Sequence, residues 1–139
     1  MSIHKDHFEA LLNRTKSYEF RRRFSNINEN FLCVLYVSNP VKAILGIAEF
    51  KPVKKDRIDK LVSLIKKDKY SNMKNVKNYF KGCNYGYALS LIKIKKLKNF
   101  ITLNDLRGII PGFMPPQSYF SLDNIKYKEI KYLIFKNEP

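Results

Sequence analysis

Residues 16–23 read KSYEFRRR, a short stretch of β-prone residues that carries one carboxylate and four cations. On a strand, side chains alternate between faces, so Ser17, Glu19, Arg21 and Arg23 share one side and Tyr18, Phe20 and Arg22 the other. The aromatic pair marks the face turned toward a core. Glu19 and Arg21 are then neighbours on the opposite face, where a carboxylate can pair with a guanidinium and fix its orientation. A guanidinium held that way suits a phosphate or a flat hydrogen-bonding ligand. The plainer reading is an exposed charge pair, which would contribute little to stability.

Upstream of this stretch, Phe8, Leu11 and Leu12 recur at i, i+3 and i+4, which predicts a helix from His4 to Asn13. Downstream, Phe31–Ser38 (FLCVLYVS) is nearly continuous in apolar and β-prone residues and predicts a central strand that Ser38-Asn39-Pro40 ends. A third strand is expected over Ala43–Lys51, closed by Pro52, which has no ladder donor. Two helical segments follow. Residues 56–67 (DRIDKLVSLIKK) place Ile58, Leu61, Val62 and Ile65 on one face. Residues 71–80 (SNMKNVKNYF) do the same with Met73, Val76 and Phe80, with Ser71 as N-cap and Gly82 at the end.

Tyr85–Ile94 reads as a fourth strand, Phe100–Leu103 as a fifth and, after a turn at Pro111-Gly112, Gln117–Leu122 as a sixth. The tail YKEIKYLIF, residues 127–135, fits either a strand or a helix. Strands on both sides of a helical block, joined by turns, make a mixed α+β domain around a small curved sheet or barrel. With no glycine-rich strand-to-helix turn, a Rossmann pattern and a P-loop are excluded.

A chain of 139 residues with 45% hydrophobic and 28% charged residues is expected to fold as one domain spanning 1–139. Against 12 Asp and Glu stand 27 Lys and Arg, a net charge of +15, so the natural partner is a polyanion. The cations are spread along the whole chain and form no basic amphipathic helix, which favours nucleic acid over a membrane surface. Richness in Lys, Asn and Ile also fits an AT-rich coding bias, which adds surface lysines without any binding purpose.

Cys33 and Cys83 form neither a zinc pattern nor a disulfide framework. His4 and His7 share a helix face without a third ligand, so neither a metal nor another cofactor is expected. The opening MSIHKDHFEA is charged where a signal peptide would be apolar, and no apolar run is long enough to span a bilayer. The expected setting is cytoplasmic, with no membrane partner, and the self-repulsion of so basic a chain favours a monomer.

Four segments, KSYEFRRR, LCVLYVSNPVKAILGIAEF, YFKGCNYGYALSL and PPQSYFSL, resemble in order and spacing the ASCH domains, a branch of the PUA-like superfamily. The resemblance runs over residues 7–122. It implies a PUA-like small curved β-barrel of about five to six strands with flanking helices, and a cleft that binds RNA or a modified nucleotide. On that basis Lys16, Glu19, Arg21 and Arg23 line the cleft, Ser38 stands at an adjacent strand end, and Gln117 and Ser118 come from the last strand. Tyr85 and Tyr87 are candidates to stack on a base, an interaction worth about 1–3 kcal/mol per base, or else pack at the rim. RNA is the expected partner and DNA the alternative.

Catalysis is the competing expectation. Some similar small proteins are amidohydrolases acting on acylated cytidine with a lysine, a threonine and a glutamate. Alignment on their Arg-x-Lys motif puts the lysine at Lys16 and the threonine at Glu19, while residues 71–80 offer no carboxylate for the glutamate. Other relatives resemble ribonucleases, and Lys16, Glu19 and an arginine could assist a 2′-hydroxyl attack. As nucleophile or base, Lys16 would need burial or nearby cations to destabilise its ammonium. A third reading makes residues 111–120 (PGFMPPQSYF) a protein-docking edge, although Phe113 and Met114 are expected to cap the barrel.

Overall fold

A computed structural model describes residues 1–139, apart from the side chain of Lys67. In chain order the elements are β1 (Ser2–Ile3), α1 (Lys5–Leu12), β2 (Tyr18–Arg21), β3 (Phe31–Val37), β4 (Ala43–Phe50), β5 (Lys54–Arg57) and α2 (Ile58–Ser63). A 3-10 turn at Leu64–Lys67 leads to α3 (Met73–Tyr79), the long strand β6 (Tyr85–Thr102), α4 (Leu103–Ile109), a second 3-10 turn at Ile125–Tyr127, and α5 (Lys128–Lys136). This is the mixed α+β class expected from the sequence.

The chain packs as two compact units, one of Met1–Phe8, Cys33–Ala48 and Ile94–Pro139, the other of Glu9–Leu32 and Glu49–Lys93. In the first unit the strand order is β1, β3, β4, β6, with β1 parallel to β3. Its core gathers Tyr36, Ile44, Ile47, Leu97, Ile101, Leu106, Phe113, Ile130 and Ile134. Gly46 is required there, because a Cβ would sit 2.6 Å from the Lys95 carbonyl oxygen.

In the second unit β6 pairs antiparallel with β2 and also with β5. Phe20 and Ala88 face a core made with Leu61, Val62, Ile65, Val76 and Phe80 from the helical block. The chain turns out of α1 through Arg14 at φ 64°, and Asn13 Oδ1 accepts from the Thr15 N–H and hydroxyl. The Lys16 N–H then donates back to the Ala10 carbonyl at 3.0 Å, which sets the entry into β2.

Several expectations are corrected. The fourth and fifth strands are one element, β6, of 18 residues. Residues 54–57 form β5, so the helix expected from Asp56 starts at Ile58. The N-cap of α3 is Asn72, whose side chain accepts from Asn75 N–H at 2.8 Å, and not Ser71.

Residues 117–122 form no strand. Pro115 and Pro116 precede them without donors, and the Ser118 carbonyl accepts from Ser2 N–H. The tail is helical. Phe113 is buried as expected, but Met114 is 73% exposed and caps nothing. The helix α4 and the two-residue β1 lie below the reach of hydrophobic periodicity.

Candidate functional site

The stretch that opened the reading folds into a buried ionic trio in the second unit. Lys16 Nζ lies 2.7 Å from Glu19 Oε2, and Arg21 Nη2 lies 3.3 Å from Glu19 Oε1. Lys16, Glu19 and Arg21 are only 3%, 6% and 9% exposed, which rules out the reading as an exposed surface pair. Each carboxylate oxygen holds one cation, and two cations face one anion. Such groups are costly to bury, so the trio is poorly explained as a stability device alone.

Its surroundings come from the segment after α2. Ser17 N–H donates to both Asp68 carboxylate oxygens at 3.2 Å, and Tyr70 N–H donates to the Thr15 carbonyl at 3.0 Å. These contacts bring the Tyr70 ring to 5.8 Å from Lys16 Nζ. Tyr79 senses the trio as well. Burial raises its phenol above the usual range, the Arg21 and Arg22 cations oppose that rise, and Glu19 adds to it.

Register defines the face on which the trio stands. Arg21 lies opposite Tyr87, Glu19 opposite Leu89, and on the other side of β6 Lys55 lies opposite Tyr87 and Arg57 opposite Tyr85. Directly opposed residues share a face, so Glu19, Arg21, Tyr85, Tyr87, Lys55 and Arg57 stand on the side away from Phe20 and Ala88. Tyr85 is 55% exposed and Tyr87 half-buried, and Lys55 Nζ sits 5.8 and 5.9 Å from their ring centres. Arg23 is exposed, beyond the end of β2.

The remaining predicted positions belong to the first unit. Ser38 Oγ donates to the Ile3 carbonyl at 3.4 Å, Gln117 is exposed, and Ser118 is half-buried with its carbonyl on Ser2 N–H. That unit also holds Tyr36, which is buried and pairs with Ser2 across β1 and β3. Desolvation raises its phenol, and the Arg107 cation partly offsets the rise.

Sequence reasoning did not single out Lys55, Arg57, Arg22 or Tyr36. The alternation of β6 and β5 could have found the first two had β5 been recognised. Alternation groups Arg22 with Tyr18 and Phe20 and gives no sign that it is exposed. The strand ends at Arg21, so the alternation no longer applies to it.

Among the described residues no group of three or more His, Cys, Asp or Glu is placed to hold a metal ion, and His4 and His7 stand with ring centres 6.2 Å apart. Among the same residues no helix is long and apolar enough to cross a membrane.

No family model matches the chain. It is 25% identical over 118 residues, 85% of this chain and 79% of the relative, to an ASCH domain-containing ribonuclease of Zymomonas mobilis. The crystal structure of ASCH from Zymomonas mobilis superposes with a TM-score of 0.83 at 24% identity, covering 96% of this chain and 92% of that one. A variant of that protein with a serine changed to alanine gives 0.80 at 23% identity, covering 96% and 93%. Another with a tyrosine changed to phenylalanine gives 0.79 at 23%, covering 96% and 95%. The chain therefore shares the fold of these ASCH structures, as the resemblance carried by its motifs implied.

Proposed function

We propose that the protein is a nucleic-acid-binding module that takes RNA or a modified nucleotide at the face carrying Lys16, Glu19 and Arg21. The buried trio carries this reading. Glu19 holds Lys16 and Arg21 in fixed geometry, and two cations oriented in this way on one face suit a phosphate brought to it. Arg23 adds an exposed cation, and Tyr85 and Tyr87 offer ring faces to a base beside it. DNA would satisfy the same charges without a 2′-hydroxyl to distinguish it.

The test is binding of single-stranded RNA, duplex RNA and DNA at low and physiological salt to wild type, Lys16→Ala, Arg21→Ala and the remote Lys136→Ala. RNA-selective binding weakened about tenfold or more by the first two and little by the third supports the reading. Absence of binding, or equal loss at all three positions, overturns it.

A second reading, cleavage of RNA, is favoured by the name of the Zymomonas mobilis relative, a ribonuclease. Lys16 and Glu19 are its first candidates. Both Glu19 oxygens already hold cations, which suits this residue to orienting its neighbours better than to accepting a proton. The first unit supplies further candidates, since Ser118 and Tyr36 both flank β1 and the Arg107 charge reaches Tyr36. Product analysis on single-stranded RNA with Lys16→Ala, Tyr36→Phe and Ser118→Ala decides among them. No product from RNA or from acylated cytidine ends the hydrolase reading.

A further inference from the structure

We infer that Arg22 is a preorganised phosphate clamp for a single-stranded polynucleotide, with its guanidinium set in place by Tyr79. The inference rests on the nucleic-acid reading above and adds to it a residue outside the trio. β2 ends at Arg21, so Arg22 leaves the strand and its side chain reaches the end of α3. There its Nε–H donates to the Tyr79 carbonyl at 2.6 Å, and its guanidinium carbon lies 5.1 Å from the centre of the Tyr79 ring. A hydrogen bond and a ring contact on one planar group restrict where it can stand.

Bracing the helix end accounts for only one donor. The last carbonyls of α3 lack acceptor duty within the helix and favour a cation, which explains the bond from Nε. The four N–H groups on the two Nη atoms are left over, in the fork geometry that meets a phosphate with paired hydrogen bonds. Among the described residues no carboxylate pairs with Arg22, while its chain neighbours are Arg21 and Arg23. An oriented, exposed cation followed by the exposed Arg23 is suited to an anion from outside the chain.

The support beneath it is closely packed. Tyr79 meets Phe80 edge to face, with ring centres 4.9 Å apart, and Phe80 is 1% exposed and meets Phe20 in turn at 5.8 Å. Core packing therefore extends without a break to the surface guanidinium. Preorganisation of this kind spares the ordering cost that a free arginine side chain would bear on binding.

A free phosphate and a polynucleotide share the chemistry the clamp recognises, and the experiment separates them. Full-length protein labelled with ¹⁵N-arginine is titrated at low salt with inorganic phosphate and with single-stranded oligouridylate while the arginine Nε–Hε signals are followed. Arg22 is assigned as the signal lost in Arg22→Lys. The expected result is a shift of that signal by oligouridylate at concentrations where phosphate alone leaves it nearly unmoved.

Arg22→Lys should weaken oligouridylate binding about tenfold, Tyr79→Leu by a similar factor because it keeps the carbonyl and removes the ring, and Arg23→Lys less than about twofold. Thermal unfolding of each variant confirms that the fold is retained. If oligouridylate binds but the Arg22 signal stays still, or if Arg22→Lys and Arg23→Lys weaken binding equally, the clamp is overturned and the nucleic-acid reading stands. If phosphate moves the signal and oligouridylate does not bind, the polynucleotide assignment fails together with that reading.

Discussion

Glu19 contacts two buried cations, and removing its charge takes the ion pair from both of them at once. Glu19→Gln is therefore expected to lower the unfolding free energy by about 3 kcal/mol, within the range for breaking a buried pair from one side. Lys16→Met should cost clearly less, since Glu19 keeps its contact with Arg21 and the methionine fills much of the lysine stem's space. Urea unfolding of the two variants checks the order, and a reversed order would show that the trio is not coupled through Glu19. At this scale the sequence was partly legible. Alternation put Glu19 and Arg21 on one face, as found. It could not show that they are buried, because the covering segment around Asp68 and Tyr70 comes from far along the chain. Lys16 joins them through the backward turn at Arg14, a residue with no sequence signal for a left-handed conformation.

Among the elements, the junction of β6 with α3 bears on function. A Cβ at Gly86 would fall 2.3 Å from Phe80 Cε1, so Gly86→Ala must displace the ring that supports Tyr79. The expected cost is about 1–3 kcal/mol, as for other overpacked cores, with a matching loss of the Arg22–Tyr79 contact, read by thermal unfolding and by the Arg22 Nε–Hε signal. The start of α4 gives a pH prediction. Thr102 and Asp105 form a reciprocal capping box, and the hydrogen bonds from the Thr102 side chain and backbone hold the Asp105 carboxyl below its ordinary value of 3.8. A lowered carboxyl stabilises the fold above its unfolded value, and that contribution is lost as pH falls through the folded value. The difference in Tm between wild type and Asp105→Asn should then be greatest near neutral pH and close as the solution is acidified below about pH 4. A difference that holds constant into acid would remove the charge from the explanation. Neither α4 nor the unity of β6 was legible. The lysine-rich middle of β6 interrupts the apolar pattern, and its pairing is settled by partners distant in sequence.

For the whole molecule the open quantity is how much of the +15 charge is used. Sequence composition pointed to a polyanion, but an AT-rich coding bias could supply the same lysines, and composition cannot separate the two. The salt dependence of binding can, because each phosphate contacted on a single strand releases counterions and steepens the fall of log K with log salt by about 0.7. The trio, Arg22, Arg23 and Lys55 offer roughly three to four phosphate contacts, so oligouridylate binding should follow a slope of about −2 to −3. Arg22→Lys keeps the charge and should keep the slope while lowering affinity, whereas Arg22→Gln should flatten the slope by about 0.7. Fluorescence anisotropy over a salt series measures both. A slope steeper than about −6, unchanged by either substitution, would mean that lysines all over the surface attract the strand and that the ordered cations of the second unit have no privileged part in holding it.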